Sequence, residues 1–152
     1  MHIILRYEIE RALVDGSLAL EDLPAVWNSK MEEYLGVEVG SDAQGVLQDV
    51  HWSAGAIGYF PTYTLGAMIA TQFFETAKSS IPDLDAKIAA GDFGPLKAWL
   101  NENVHQKGSL HANFDELLID VTGKPLDPQI YLSYLRHKYS KLYKFNSTSS
   151  SL

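Results

Sequence analysis

The sequence contains no cysteine among its 152 residues. This absence excludes disulfide bonds, thiolate metal sites and cysteine nucleophiles, and it favours a reducing compartment, so the cytoplasm is the expected location. Positive charge is also scarce, because 12 Lys and Arg residues stand against 19 Asp and Glu residues, for a net charge of −7. The basic residues are scattered singly, so neither nucleic acid nor an anionic membrane is an expected partner.

Several motifs of catalysis and binding are missing as well. The sequence has no HExxH zinc-binding pair, no GxSxG nucleophile turn, no P-loop and no GxGxxG. The N-terminal stretch MHIILRYEIERALVDG has neither a basic n-region nor a cleavage site, so no signal peptide is expected. Four of the five histidines are not spaced as a ligand set: His2, His105, His111 and His137. No metal is expected in this chain alone.

Apolar residues recur at helical spacing along most of the chain. The pattern predicts a first helix from residue 2 to Asp15-Gly16, a second from about Asp22 to Gly36, and a third around Ala43 to Ser53. A fourth, Pro61 to Lys78, is apolar on nearly every face and is predicted to be the centre of the core. Because glycines and Pro61 interrupt the uncharged stretch that contains it, this helix is not expected to span a membrane.

Three further helices are predicted in DFGPLKAWLNENVHQKG, NFDELLIDVTG and DPQIYLSYLRHKYSKLYKF. No strand pattern is longer than Gly36 to Val39. A chain of this length with 46% hydrophobic residues can bury a core of its own. We therefore predict an all-α fold, with one helical domain over residues 1–145 and a flexible tail at 146–152. The first helix begins without a capping residue, which suggests that other residues precede it in related proteins.

The octet GVLQDVHW, residues 45–52, concentrates polar side chains. On a helix, Gln48, His51 and Trp52 would share one face. One interpretation is a buried polar network in which Gln48 and Asp49 donate and accept hydrogen bonds while the Trp52 side chain fills space. The other is that His51 donates a hydrogen bond to an oxyanion.

Two phenols follow the octet in SAGAIGYFPTYTLG, at Tyr59 and Tyr63. An imidazole and a phenol directed at one point could stabilise a tetrahedral intermediate. Neither group activates water by itself, and the sequence offers no metal motif or strong base to do so. The residues therefore indicate part of a reaction site.

These residues resemble a known family. GVLQDVHW is similar to the GxxQDxHW signature of the Taq-type zinc carboxypeptidases, large helical metallopeptidases of the HExxH superfamily, at each of its five fixed positions. The segments ILRYEIE, GYFPTYTLG, VHQKG and TGKPLDPQIYLSYLRHKYSKLY also resemble the last third of that family, in the same order. The resemblance covers essentially the whole chain, and it implies the C-terminal part of a larger helical metallopeptidase fold.

In that family the HExxH helix and a glutamate ligand lie upstream of the segment resembling ILRYEIE. The resemblance therefore implies a zinc enzyme whose metal ligands and general base belong to an N-terminal segment that this chain lacks. Such an enzyme removes single C-terminal amino acids from peptides. Whether this chain is an enzyme is left open, and we expect it to be inactive alone.

The resemblance also implies roles for particular residues. Arg6 would bind the terminal carboxylate of the substrate, since a guanidinium can bind it in a bidentate manner; the alternative is an ion pair with Glu10. His51 and Tyr63 resemble the histidine and tyrosine that stabilise the oxyanion in the related angiotensin-converting-enzyme group. Tyr59 is the second candidate for the phenol. Where many relatives carry a basic residue that could contact the substrate carboxylate, this chain has Gln106, and Lys107 would be its substitute. The further substrate-binding candidates are Gln48, Asp49, Tyr59 and Lys107.

A different class of function remains open beside this one. The chain could be a non-catalytic helical remnant or an oligomerisation module. In either case the absent upstream helices would leave apolar surface exposed, so a homo-oligomer is expected. Substrate side-chain preference does not follow from these residues.

Overall fold

The computed structural model describes residues 1–144, and the tail predicted at 146–152 lies outside the described residues. No strand occurs in the described part, which confirms the all-α prediction. None of the helices there combines the length and the apolar character needed to cross a membrane. Seven α-helices occur in residues 1–144: α1 (His2–Val14), α2 (Leu23–Leu35), α3 (Phe60–Ser80), α4 (Leu84–Ala89), α5 (Gly94–Asn103), α6 (Phe114–Thr122) and α7 (Pro128–Tyr143).

The chain divides into two compact units, Met1–Leu65 and Gly66–Leu152, the second described to residue 144. The boundary falls inside α3, which begins in the first unit and continues into the second. The expected single domain over residues 1–145 stays a prediction, and each unit is described by itself.

The ends of α1 and α2 follow the local sequence. Helix α1 starts at residue 2 with no side-chain cap and gives way to Gly16, whose φ is +79°. Helix α2 carries a proline in its first turn and ends at Gly36, which adopts the left-handed conformation that favours glycine. Both predicted helices are therefore confirmed.

The core of the first unit lies between α1, α2 and the segment after them. Four side chains form a buried cluster: Leu5 and Ile9 of α1, Trp27 of α2, and Val46 of the following loop. Since burying an aliphatic side chain contributes about 1.5–3 kcal/mol, this cluster fixes the loop against the helix pair. Eight partly buried hydrophobic residues surround it: Leu13, Leu18, Leu23, Val26, Met31, Tyr34, Val39 and Trp52.

The predicted third helix over Ala43 to Ser53 is wrong. The segment contains two 3-10 turns, Asp42–Gln44 and Val46–Gln48, followed by turns and loop. Gly45 separates the two turns with φ −117° and ψ −114°. The backbone after the second turn is extended at Asp49, with ψ 123°. Neither conformation continues a helix, so the octet has no shared helical face.

The second unit contains α4 to α7 and most of α3. Asn113 caps α6 by accepting a hydrogen bond from the Glu116 amide, and Asp127 caps α7 by accepting one from Gln129. Helix α4 was not predicted, and its first residue, Leu84, is buried. Gln72, only 1% exposed, ties α3 to the α6–α7 turn: its amide donates to the side chain or carbonyl of three residues there, and its carbonyl accepts from the Asp127 amide.

The prediction that α3, which is apolar on nearly every face, is the centre of the core is wrong for its N-terminal part, where large side chains are exposed. Tyr63 and Leu65 are 47% and 43% exposed. Apolar composition alone does not show which face of a helix has a neighbour in this chain. The buried residues of α3 are Phe60, Gln72, Phe73 and Ala77.

Candidate functional site

The octet forms an ordered loop whose close packing begins at Gly45. A Cβ atom added there would lie 2.5 Å from the Val39 Cγ1 atom and 3.4 Å from Trp27 Nε1. Alanine at this position would therefore require the Val39 side chain, which packs against the core cluster, to shift. The first fixed position of the motif therefore has a packing role.

Arg6 of α1 holds Asp49. Its Nε donates a hydrogen bond to Asp49 Oδ2 at 2.6 Å, and its Nη1 donates to the His2 carbonyl at 2.6 Å. The guanidinium also lies over the Trp27 ring, 4.7 Å from the centroid. The Arg6 and Asp49 side chains are 16% and 12% exposed, so solvent screens this ion pair only in part. The structure contains this pair in place of the alternative pair between Arg6 and Glu10.

Glu10, one turn further along α1, holds the other end of the loop. Its carboxylate oxygen Oε1 accepts hydrogen bonds from Trp52 Nε1 at 3.1 Å and from the Gly58 amide at 3.0 Å. Glu10 is 5% exposed, so these two donors satisfy a carboxylate that would be costly to bury alone. Trp52 in turn meets Trp27 and Phe60 edge to face.

His51 and Tyr63 are brought together as the sequence predicts. His51 Nε2 and the Tyr63 hydroxyl are 2.9 Å apart, and the Phe60 ring lies against the imidazole with centroids 4.8 Å apart. Tyr59 stacks near His51 at 6.3 Å and meets Tyr63 edge to face at 5.3 Å. Of the two phenols, Tyr63 is the one that forms the hydrogen bond with the imidazole. Both phenols are about half exposed, so the group faces solvent.

Two other expected site residues are placed differently. The Gln48 amide donates to the Ala43 carbonyl, so it links the second 3-10 turn to the first. Lys107 lies in the second unit, where its amine pairs with Asp120. His111 approaches the same carboxylate at 3.4 Å. The Lys107 contacts lower the Asp120 pKa, and His111 adds a smaller effect. The expected role of Lys107 in substrate binding stays a prediction.

The described residues do not offer a ligand set for zinc. No group of three or more His, Asp or Glu side chains in residues 1–144 is arranged to hold a metal ion. His51 and Asp49 approach each other, but two donors do not make the three protein ligands of a catalytic zinc site. Near them, loss of solvation and then the Arg6 cation lower the pKa of the His2 imidazole.

Two partners in this site do not follow from the sequence alone. The sequence predicts Glu10 only as a possible partner of Arg6, and it predicts no role for Phe60. The signal for Glu10 was an acidic residue within the apolar face of α1, between Ile9 and Leu13. A buried carboxylate in such a position requires donors from elsewhere in the chain.

A cleft of about 1050 Å³ lies in the second unit, between α3 and α7. Its walls mix acidic, basic and aromatic side chains, and the hydrogen-bonding groups of Gln72 there are used by the protein itself. We assign it no chemistry.

Comparison with known proteins is consistent with this geometry. Residues 1–139 match a family model described as "Carboxypeptidase Taq (M32) metallopeptidase". The fold and the match place the chain among the metallopeptidases. Within that class, the chain belongs to the M32 family of Taq carboxypeptidases.

Individual relatives are similar to the chain over most of its length. Carboxypeptidase 1 of Bacillus subtilis is 45% identical over 143 residues, and thermostable carboxypeptidase 1 of Pyrococcus furiosus is 41% identical over 138 residues. The crystal structure of the M32 carboxypeptidase from Deinococcus radiodurans superposes with a TM-score of 0.89 at 42% identity, covering 95% of this chain and 29% of that one. Metallocarboxypeptidase 1 of Trypanosoma cruzi gives 0.86 at 48% identity, covering 91% and 29%.

The chain spans only part of these relatives. The matches cover 94% and 91% of this chain but 28% of the Bacillus and Pyrococcus proteins. The activity of a complete relative is therefore not transferred to this chain by the comparison.

Proposed function

We propose that residues 1–65 form the substrate-binding side of a carboxypeptidase that removes single C-terminal amino acids from peptides. The observation that carries this proposal is the continuous series of contacts from Arg6 through Asp49 and His51 to Tyr63. It joins a cation suited to a carboxylate with a pair of groups suited to a developing oxyanion.

Arg6 is the proposed site for the terminal carboxylate of the peptide. Two of the five N–H groups of its guanidinium are used by Asp49 and by the His2 carbonyl. The Asp49 contact fixes the plane of the guanidinium, so that the remaining N–H groups are presented in a defined direction. A bidentate, charge-assisted contact of this kind favours a free carboxylate over a neutral amide.

His51 and Tyr63 are the proposed partners of the charge that develops on the scissile carbonyl oxygen. The rings of both are held before substrate arrives, His51 by Phe60 and Tyr63 by α3, so the reaction requires little movement of either ring. Tyr59 packs against both and is proposed to contact the peptide. These residues bind and stabilise; they do not generate a nucleophile.

The residues described here do not fit zinc, since they lack three suitable ligands. We therefore propose that the metal ligands and the general base of the reaction come from a separate, N-terminal segment of sequence. By itself the chain is expected to bind peptide without hydrolysing it.

Equilibrium binding of an N-blocked dipeptide to the purified chain tests this proposal. The dipeptide is compared, by calorimetry, with its C-terminal amide. We expect the acid to bind and the amide to bind at least tenfold more weakly, because the amide loses a charge-assisted contact of about 1.5–3 kcal/mol. Equal affinities would overturn the proposal.

Two variants assign the difference to one side chain. Arg6→Gln is expected to abolish the preference for the acid, whereas Arg11→Gln, an exposed arginine on the same helix, is expected to retain it. Circular dichroism of both variants checks that α1 remains folded. A preference for the acid that survives in Arg6→Gln would contradict the role of Arg6.

A second candidate function is an assembly module. Three hydrophobic side chains in the octet or shortly after it are strongly exposed: Leu47 by 70%, Val50 by 67% and Ile57 by 60%. A group of this kind is typical of an interface. Sedimentation equilibrium tests it, since a homo-oligomer without affinity for either dipeptide would favour this function over the first.

A further inference from the structure

The buried nitrogen of His51 faces a carboxylate. His51 Nδ1 is enclosed and forms no hydrogen bond within residues 1–144, and Asp49 Oδ1 lies 3.5 Å from it. The other oxygen of Asp49 accepts the hydrogen bond from Arg6 Nε. The side chains of His51 and Asp49 are 22% and 12% exposed, so water does not screen the two groups from each other fully.

This geometry decides where a neutral imidazole carries its hydrogen. A neutral histidine has one nitrogen with a hydrogen and one with a lone pair. A carboxylate only accepts hydrogen bonds, so a lone pair on Nδ1 would face negative charge, whereas an N–H there would face an acceptor. The contact made by one ring nitrogen thereby fixes the state of the other.

We propose that Asp49 is a positioning residue that keeps the hydrogen of neutral His51 on Nδ1. Nε2 then carries the lone pair, and the Tyr63 hydroxyl donates its hydrogen to Nε2 across the 2.9 Å contact. Asp49 acts through His51 and, in this role, touches no substrate. The aromatic rings of Tyr59, Phe60 and Tyr63 also lie against the imidazole, and no group in residues 1–144 forms a hydrogen bond with Nδ1.

The consequence for chemistry rests on the proposed function. While the imidazole is neutral, its Nε2 has no hydrogen to offer an oxyanion. Tyr63 is then the donor of the pair, and it donates by turning its O–H from His51 towards the substrate oxygen. The Tyr63 hydroxyl is then the donor to the oxyanion and the His51 imidazole is its acceptor before substrate binds, although the sequence alone predicts both as donors.

The hydrogen bond from Arg6 Nε to Asp49 Oδ2 makes the effect of one substitution predictable. In Asp49→Asn the amide oxygen stays on the Arg6 N–H, because an NH₂ group there would face another donor. The NH₂ group must then face His51 Nδ1, which can accept it only with a lone pair. Asp49→Asn is therefore expected to move the hydrogen of His51 from Nδ1 to Nε2.

Imidazole NMR tests the proposal without any substrate. Two-bond ¹H–¹⁵N correlation spectra of the ¹⁵N-histidine-labelled chain, recorded at about pH 8.5 where an ordinary imidazole is neutral, distinguish the two tautomers. The His51 signals are assigned from their loss in His51→Gln. We expect Nδ1–H in the wild-type chain and Nε2–H in Asp49→Asn. A wild-type Nε2–H tautomer, or no change in Asp49→Asn, would overturn the proposal.

Two control variants separate Asp49 from its surroundings. Asp42→Asn alters an exposed carboxylate of the same loop and is expected to leave the wild-type tautomer. Tyr63→Phe removes the contact at Nε2 and is also expected to leave Nδ1–H in place. A change of tautomer in Tyr63→Phe would mean that Tyr63, and not Asp49, determines the tautomer of His51, and it would contradict the proposal. This test remains available even if Asp49→Asn fails to fold. Loss of the acid preference in the dipeptide experiment, with the tautomers as expected, would refute only the proposed function.

Discussion

Replacement of Glu10 by alanine is expected to release the octet loop from α1. The substitution removes the acceptor of two hydrogen bonds, those from Trp52 Nε1 and from the Gly58 amide. A buried donor left without an acceptor costs about 1–3 kcal/mol. Because Gly58 is exposed and water can reach its amide, we expect a total loss of about 2–4 kcal/mol in the free energy of unfolding.

Glu10→Gln is the matched control, because its amide oxygen can accept both hydrogen bonds in the same place. Urea unfolding followed by tryptophan fluorescence measures both variants, since Trp27 and Trp52 lie in the affected region. We expect Glu10→Gln to lie within about 1 kcal/mol of the wild type, an allowance for exchanging a charged acceptor for a neutral one. A Glu10→Ala variant as stable as Glu10→Gln would refute the reasoning, because the two hydrogen bonds would then contribute nothing.

Three further predictions concern other positions. Gly45→Ala is expected to lower the free energy of unfolding by about 1–3 kcal/mol, since its Cβ would lie 2.5 Å from a valine methyl carbon; Gly66→Ala, in α3 with open space around it, is expected to raise it by about 0.5–1 kcal/mol in the same unfolding assay. Hydrogen bonds from Lys30, and then from a tyrosine, lower the pKa of Glu8 from its ordinary value of 4.5. The contact between Glu8 and Lys30 therefore stabilises the fold above pH 4.5, and this stabilisation is lost as the pH falls through the lower folded-state pKa. The difference in stability between wild type and Lys30→Met should therefore be larger at pH 7 than at pH 3, and a difference that grows on acidification would contradict this sign. Gln72→Leu leaves the Asp127 amide and the Pro125 carbonyl of the α6–α7 turn without their partner, and it removes one of two donors to the Lys124 carbonyl. Hydrogen exchange should show faster opening of that turn, whereas unchanged protection would contradict the contacts.

The helix ends were predictable from local chemistry. Gly16, Gly36 and Gly123 all have positive φ values next to the end of an apolar periodic segment, which glycine adopts without a Cβ penalty. These signals depend on a few adjacent residues, so no tertiary information is needed to interpret them.

The conformation of the octet was not predictable in the same way. Its spacing of Gln48, His51 and Trp52 fits a helix, yet each side chain has a separate partner in the structure. Trp52 reaches Glu10, 42 residues earlier, and these tertiary contacts override the local helical pattern. Helical spacing of side chains indicates a segment that packs against one neighbouring surface. It does not predict a loop whose side chains contact several different surfaces.

The pairing of the candidate site was predictable only in part. Proximity in sequence brings His51 together with two phenols, Tyr59 and Tyr63, as a hypothesis, and the family resemblance favours Tyr63. The structure places the polar atoms of His51 and Tyr63 2.9 Å apart. The partner of Arg6 was not predictable, because a residue four positions along a helix is the obvious partner while Asp49 is 43 positions away. A partly buried ion pair between distant segments leaves no periodic signal in the sequence.

Residue-level mapping of peptide binding tests the central claim, that the octet and α1 form the site for a C-terminal carboxylate. The measurement is a ¹H–¹⁵N NMR titration of the chain with an N-blocked dipeptide acid and, in parallel, with its amide. We predict that the acid alone shifts the signals of Arg6, of the loop from Asp49 to Trp52, and of Tyr63. Equal shifts from acid and amide, or shifts confined to the second unit, would contradict the claim.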